Sequence, residues 1–127
     1  MSDMKFQTMR PMLETDDLKQ TIDFYTQLLG FTCEGCYPDF ENPVWTSLHH
    51  QDGMAIMFTV RNAHSIYPKP SLSGSLYFNT ESVDKVWYEL KDKAPVEYPI
   101  ETFDYGMREF AIRDCNGYLL QFGQDMS

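Results

Sequence analysis

LETDDLKQTIDFYTQLLGF, residues 13–31, contains a helix together with its start and stop signals. Thr15 or Asp16 can cap it, and the acids of the Glu14–Asp17 cluster suit the positive end of the helix dipole. Leu18, Ile22, Tyr25 and Leu28/Leu29 then recur at helical spacing, with Lys19, Gln20, Asp23 and Gln27 on the opposite face. Gly30 ends the helix as a left-handed cap. Upstream, KFQTMRPML (5–13) reads as a strand. Downstream, Phe31–Tyr37, Val44–Gln51 and Met54–Arg61 read as three more, the last two joined by the hairpin signal Asp52-Gly53. The order is βαβββ.

That order recurs after residues 62–73 (NAHSIYPKPSLS), an aperiodic stretch with two prolines that reads as a linker. Ser75–Asn79 is a strand, Thr80 a possible cap, and Val83, Val86, Trp87 and Leu90 an apolar helical stripe. Pro95–Phe103 contains Pro99 and so suits a sheet edge. Met107–Asp114 and Tyr118–Gly123 flank Asn116-Gly117, a second hairpin signal. At an offset of 65, Leu13 meets Phe78, Thr15 meets Thr80, Leu18 meets Val83 and Ile22 meets Trp87, while Gly53 and Gly117 lie 64 apart. Cap, stripe and hairpin fall in register, which indicates duplication. The expected fold is α+β: two βαβββ modules, about 5–61 and 74–124, within one domain of 1–127.

With 127 residues, 43% of them hydrophobic and 15% aromatic, the chain can bury a core. MSDMKFQTMR lacks a long apolar run, and three cysteines suit a reducing compartment, so the expected location is the cytoplasm. The net charge of −9 argues against nucleic acid and anionic membranes and favours cationic ligands.

The 13–31 stretch, with Asp17, Phe24-Tyr25 and Leu29-Gly30-Phe31, resembles the opening of the vicinal-oxygen-chelate superfamily, which includes glyoxalase I, extradiol dioxygenases and bleomycin-resistance proteins. YGMREFAIRDCNGYLLQFG (105–123) resembles that family's closing hairpin, nearest the bleomycin-resistance branch, through Gly106–Phe110 and Arg113-Asp114-x-Asn-Gly. The resemblance implies two curved mixed sheets around a cleft and a homodimer. It also implies four positions where relatives hold a divalent metal: Arg10, Met57, Ser75 and Gln121. An arginine, a methionine and a serine cannot hold a hard divalent ion, which leaves only Gln121 as a capable ligand. No metal and no other cofactor is therefore expected.

Other residues do not replace that set. His49 and His50 are adjacent and would face opposite sides of a strand, and His64 lies in the linker. Cys33 and Cys36 have CxxC spacing but lie on a strand, where i,i+3 residues would face opposite ways, so neither a metal nor a redox role is expected. No nucleophile elbow, P-loop or dinucleotide fingerprint occurs, and no catalytic residue is assigned.

What remains is binding. Tyr37, Phe40 and Trp45 bracket one loop, with Asp39 and Glu41 beside them, and Phe103, Asp104 and Tyr105 lead into the closing hairpin. Arg108 either reaches ligand or pairs within its sheet. Tyr25 and Trp87, on helical stripes, belong to the core. The expected function is metal-free binding or sequestration of a cationic or planar small molecule by an acidic, aromatic cleft, as in antibiotic resistance. The alternative is a lyase, isomerase or dioxygenase with an unusual ligand set around Gln121.

Overall fold

A computed structural model describes residues 3–127, apart from the side chain of Asp52. The chain divides into two compact units, one ending at Asn62 and the other beginning at Ala63. Each unit is a four-stranded mixed sheet, ordered β1-β4-β3-β2 in the first and β5-β8-β7-β6 in the second. The elements are β1 (Met12–Thr15), α1 (Leu18–Asp23), β2 (Thr32–Tyr37), β3 (Trp45–His49) and β4 (Ala55–Val60), then β5 (Leu76–Asn79), α2 (Val83–Leu90), β6 (Val96–Thr102), β7 (Met107–Arg113) and β8 (Leu119–Asp125). In both units the first strand runs parallel to the last. Met12 pairs with Met57 as Tyr77 pairs with Gln121, so the repeat is offset by 65 on the first strand and by 64 on the last. The two βαβββ units expected from the sequence are present, in register. No helix is long and apolar enough to cross a membrane among the described residues.

Helix α1 is capped beyond both expected positions, one residue after Asp16 and two after Thr15. Asp17 is the N-cap, and its Oδ1 accepts from the Gln20 N–H at 3.0 Å. Thr15 is wholly buried instead, its hydroxyl 2.9 Å from that of Thr21. After Asp23 the helix widens into a π turn over Phe24–Leu28. The closing bond is correspondingly wide, from the Phe31 N–H back to the Tyr25 carbonyl at 2.9 Å, around a left-handed Gly30. Replacing Asp17 with alanine is expected to cost about 1 kcal/mol in denaturant unfolding, from the lost cap bond. An unchanged midpoint would show that water replaces the carboxylate fully.

The first strand is shorter than expected: residues 5–11 are not in a strand, and pairing with β4 starts at Met12. Both hairpins exist, but their loops hold three residues, not two. His50 pairs with Met54 around Gln51–Gly53, and Asp114 with Tyr118 around Cys115–Gly117. In each the glycine has a positive φ, 77° at Gly53 and 87° at Gly117, as the third residue of a type I turn with a bulge requires. Asp114 Oδ1 fixes its loop by accepting from the Asn116 and Tyr118 N–H groups at 2.9 and 2.8 Å. A third loop of this form, Asp104–Gly106, joins β6 to β7.

Each sheet packs its helix on one face. In the first unit the edge of the Tyr25 ring meets Phe31, and the ring lies 5.1 Å from Phe58; Leu18, Leu48 and Ile56 are buried too. In the second, Phe78, Phe122 and Phe110 stack in a row with centroids 5.0 and 5.1 Å apart, and Trp87 of α2 meets Phe110 edge-on. Burying that aromatic area drives α2 onto the sheet. Because strand side chains alternate, the same register sends another set of residues to the face away from the helix.

Candidate functional site

The face of the second sheet away from α2 carries Ser75, Tyr77, Tyr98, Glu109 and Gln121. Glu109 follows Arg108 and precedes Phe110 on β7, so it points away from α2; it is only 5% exposed. Three phenols donate to its carboxylate: Tyr77 to Oε2, Tyr105 to Oε1, and Tyr98 to Oε1 at 3.3 Å. Gln121 Nε2 donates to the Tyr98 hydroxyl at 2.8 Å, and Ser75 Oγ donates to Gln121 Oε1 at 2.5 Å. Every donor in the chain from Ser75 thus points towards Glu109.

This arrangement makes Glu109 the acceptor at the end of a donor network. Three of a carboxylate's roughly four acceptor positions are filled, which leaves about one for a ligand donor. No arginine or lysine pairs with it among the described residues. The phenols are held neutral. Burial first, and then the bond to Glu109, raises Tyr77; burial also raises Tyr98; the bond to Glu109 pushes Tyr105 up to about 12. At neutral pH the tyrosines are therefore donors, not bases. Beside them the Phe103 and Tyr105 rings stack at 3° with centroids 5.5 Å apart, and Tyr98 meets Phe103 edge-on.

Gly123 makes room for this network. Glu109 and Gly123 are paired residues, and Tyr77 crosses the position that a side chain at 123 would occupy. A Cβ there would lie 1.9 Å from the Tyr77 hydroxyl oxygen and 2.7 Å from Cζ. Gly123→Ala is expected to swing Tyr77 off Glu109 and to cost about 1–3 kcal/mol. Absorbance titration of the phenols checks this: one late-ionising tyrosine should return towards about 10. A variant titrating like the wild type would contradict it.

The residues expected from the sequence fall in several places. Tyr105 belongs to the network, and Asp104 precedes it in the same exposed loop. Arg108 lies on the opposite face, where it grips Asp84 of α2 through Nε and Nη2 at 3.2 and 3.0 Å and donates to Thr102. The ion pair thus joins sheet to helix, and does not run within the sheet as one of its two expected roles had it. Arg113, in the motif block, likewise pairs with Glu97. In the first unit Tyr37 and Phe40 are exposed, Tyr37 pairs with the half-buried Trp45, and Asp39 caps its own loop through the Glu41 and Asn42 N–H groups. Trp45 occupies the sheet position that Glu109 holds in the second unit, since it pairs with Thr59 as Glu109 pairs with Gly123.

Glu109, Tyr77 and Tyr98 went unassigned in the sequence. The alternation in MREFAIR (107–113) already separates Glu109 from the apolar Phe110 and Ile112. What it lacks is the pairing that brings Tyr77 and Tyr98 from β5 and β6.

Residues 9–122 match the family model described as Glyoxalase/Bleomycin resistance protein/Dioxygenase superfamily. The chain belongs to that superfamily. Among solved structures, a glyoxalase/bleomycin resistance protein/dioxygenase from Nocardioides is similar at 15% identity and a TM-score of 0.77, covering 98% of this chain and 87% of the other. TioX from Micromonospora sp. ML1 shares 18% identity over 93% of this chain and 99% of its own, with a TM-score of 0.71. Lactoylglutathione lyase from Agrobacterium tumefaciens shares 18% over 93% and 92%, with a TM-score of 0.67. At these identities the likeness concerns the fold. No match was found among curated proteins.

In this member of the Glyoxalase/Bleomycin resistance protein/Dioxygenase superfamily the positions that the resemblance links to metal do not suit one. Arg10 is exposed and precedes β1 instead of lying on it, and Met57 offers only a thioether. In the second unit Ser75 donates its hydroxyl proton to Gln121 Oε1, the better ligand atom of those two positions. No group of three or more His, Cys, Asp or Glu is placed to share an ion among the described residues.

Proposed function

We propose that this chain binds and sequesters a planar organic cation on the Glu109 face of its second sheet, without a metal. The observation that carries this reading is the buried Glu109 carboxylate, ringed by the Tyr77, Tyr98 and Tyr105 hydroxyls beside the stacked Phe103 and Tyr105 rings. A buried carboxylate without a basic partner rewards an incoming cation, and aromatic faces add about 0.5–2 kcal/mol each. The net charge of −9 favours the same sign of ligand. In the same reading Asp104 adds a contact beside Tyr105, and Tyr37, Asp39, Phe40 and Trp45 form a separate ligand-contacting group within the first unit. The protein acts as a cytoplasmic homodimer, and the family's bleomycin-resistance members are its functional analogues.

Calorimetric titration tests this directly. Bleomycin and proflavine, both cationic and partly planar, are expected to bind with dissociation constants of about 1–100 μM, whereas an anthraquinone sulfonate gives no heat. Equal binding of the anion, or no heat from either cation, would overturn the reading. Elemental analysis tests the rest. A stoichiometric divalent metal whose removal by EDTA lowers the melting temperature would sink the metal-free claim.

The lyase or dioxygenase alternative has less support. Of the four positions linked to a metal only Gln121 is a capable ligand, and both ends of its amide are already engaged, by Ser75 and by Tyr98.

A further inference from the structure

A second cluster lies in the first unit, on the edge strand β2. Strand alternation sends residues i and i+3 to opposite faces, and on that ground Cys33 and Cys36 were expected to face apart. The structure corrects this. Cys33 pairs with Leu48 and Gly35 with Ser47, so Glu34 is an extra residue and the register shifts between Cys33 and Gly35. A bulge adds one residue to one strand and reverses the alternation beyond it. The two sulfurs therefore lie on one side, 3.4 Å apart. Both cysteines are free and half-buried.

The wholly buried Thr46 holds the arrangement. Its hydroxyl donates to the Gly35 carbonyl at 2.8 Å, which pins the bulge, and it lies 3.3 Å from Cys33 Sγ and 3.5 Å from Cys36 Sγ. Three side chains from two strands thus converge on a dithiol at a sheet edge, where the unpaired side of β2 leaves the backbone room to adjust. The third cysteine, Cys115, lies in the β7–β8 loop of the other unit.

We propose that Cys33 and Cys36 form a reversible dithiol–disulfide site that exchanges with low-molecular-weight disulfides such as oxidised glutathione. With the two sulfurs 3.4 Å apart, a mixed disulfide at either is resolved by the other, and entry at Cys33 proceeds in two steps. In the first step the Cys33 sulfur attacks the glutathione disulfide. A Cys33–glutathione bond forms, the glutathione S–S bond breaks, and one glutathione leaves with the Cys33 proton. In the second step Cys36 attacks Cys33 Sγ. The Cys33–Cys36 bond forms, and the second glutathione leaves with the Cys36 proton. Two thiols are oxidised and one glutathione disulfide is reduced, with no other reactant.

The site also has a reporter. A Cβ on Gly35, inside the bulge, would sit 3.9 Å from the Trp45 ring, so closing the disulfide alters the surroundings of that indole.

The test equilibrates the reduced full-length chain in glutathione buffers of graded ratio, quenches with acid, and maps the products by intact and peptide mass. The expected product lacks two hydrogens, both lost from the peptide containing Cys33 and Cys36. The mixed disulfide should stay below about a tenth of the chain, because the neighbouring thiol resolves it. Cys36→Ser should instead accumulate glutathione on Cys33, at least about tenfold above the wild type. Tryptophan emission should change on oxidation of the wild type and not of Trp45→Phe. Glutathione retained on both cysteines of the wild type, or no loss of hydrogens at any ratio, would overturn the proposal. So would an oxidised product linked through Cys115.

Discussion

Glu109→Gln is expected to weaken binding of planar cations by about 30–100-fold while leaving the fold intact. The substitution keeps the volume and one acceptor oxygen but removes the charge, and its amide NH2 adds a donor where three phenols already donate. A cation then meets dipoles in place of a carboxylate. Titration of both proteins with proflavine measures the ratio, and a loss below about threefold would remove Glu109 from the binding site. The tyrosines offer a second readout that needs no ligand. Tyr105, held up to about 12 by its bond to Glu109, should move back towards about 10 in the variant, and Tyr77 should fall with it. The sign of the effect on stability follows. A phenol raised in the folded state contributes stability that is fully present below its unfolded value near 10, and that stability is lost as pH rises through the folded value. The wild type should therefore lose stability above pH 10 more steeply than Glu109→Gln. Parallel curves would mean that the carboxylate does not hold the phenols.

The neighbouring position should behave in the opposite way. Phe110→Ala is expected to destabilise the chain by about 3–5 kcal/mol, because the ring is wholly buried between Trp87 and Phe122 and no nearby group can fill its space. Against a total stability of about 5–15 kcal/mol, that removes a large part of the folded population. Thermal unfolding should show a drop of about 10–20 °C. The end of the stacked row gives a control: Phe78 is only half-buried, so Phe78→Ala should cost less. Equal costs, or a Phe110 cost under about 1.5 kcal/mol, would mean that the row is loosely packed.

These two adjacent residues show how far the sequence could be read. Phe110 was recoverable as core, because alternation along β7 and the helical stripe Val83, Val86, Trp87, Leu90 are local patterns with periods set by backbone geometry. The duplication was legible for the same reason, since the helical stripes of the two copies recur at an offset of 65 and their turn glycines at 64. Details carried by single bonds were less accessible. Thr15 has the chemistry of a cap, yet its hydroxyl is turned towards Thr21 and Asp17 caps instead. Two-residue turn signals at Asp52-Gly53 and Asn116-Gly117 belong to three-residue loops, whose length depends on which residues pair before and after them.

By itself, the sequence determined the tandem βαβββ plan, the apolar stripe of each helix, the edge position of the strand holding Pro99, and the unsuitability of Arg10, Met57 and Ser75 as metal ligands. All of these follow from residue chemistry, from short local periods, or from the recurrence of those periods 64 to 65 residues on. Tertiary structure alone decided the site. Ser75, Tyr77, Tyr98, Glu109 and Gln121 are spread over four strands and become one network only through the register of β5 on β8, β8 on β7 and β7 on β6. The dithiol depends on the same kind of information. One unpaired residue, Glu34, reverses the alternation between Cys33 and Cys36, and only the partner strand β3 reveals that it is unpaired. Pairing between strands is settled by the whole sheet's packing and hydrogen bonds, so no window of sequence around these residues contains it.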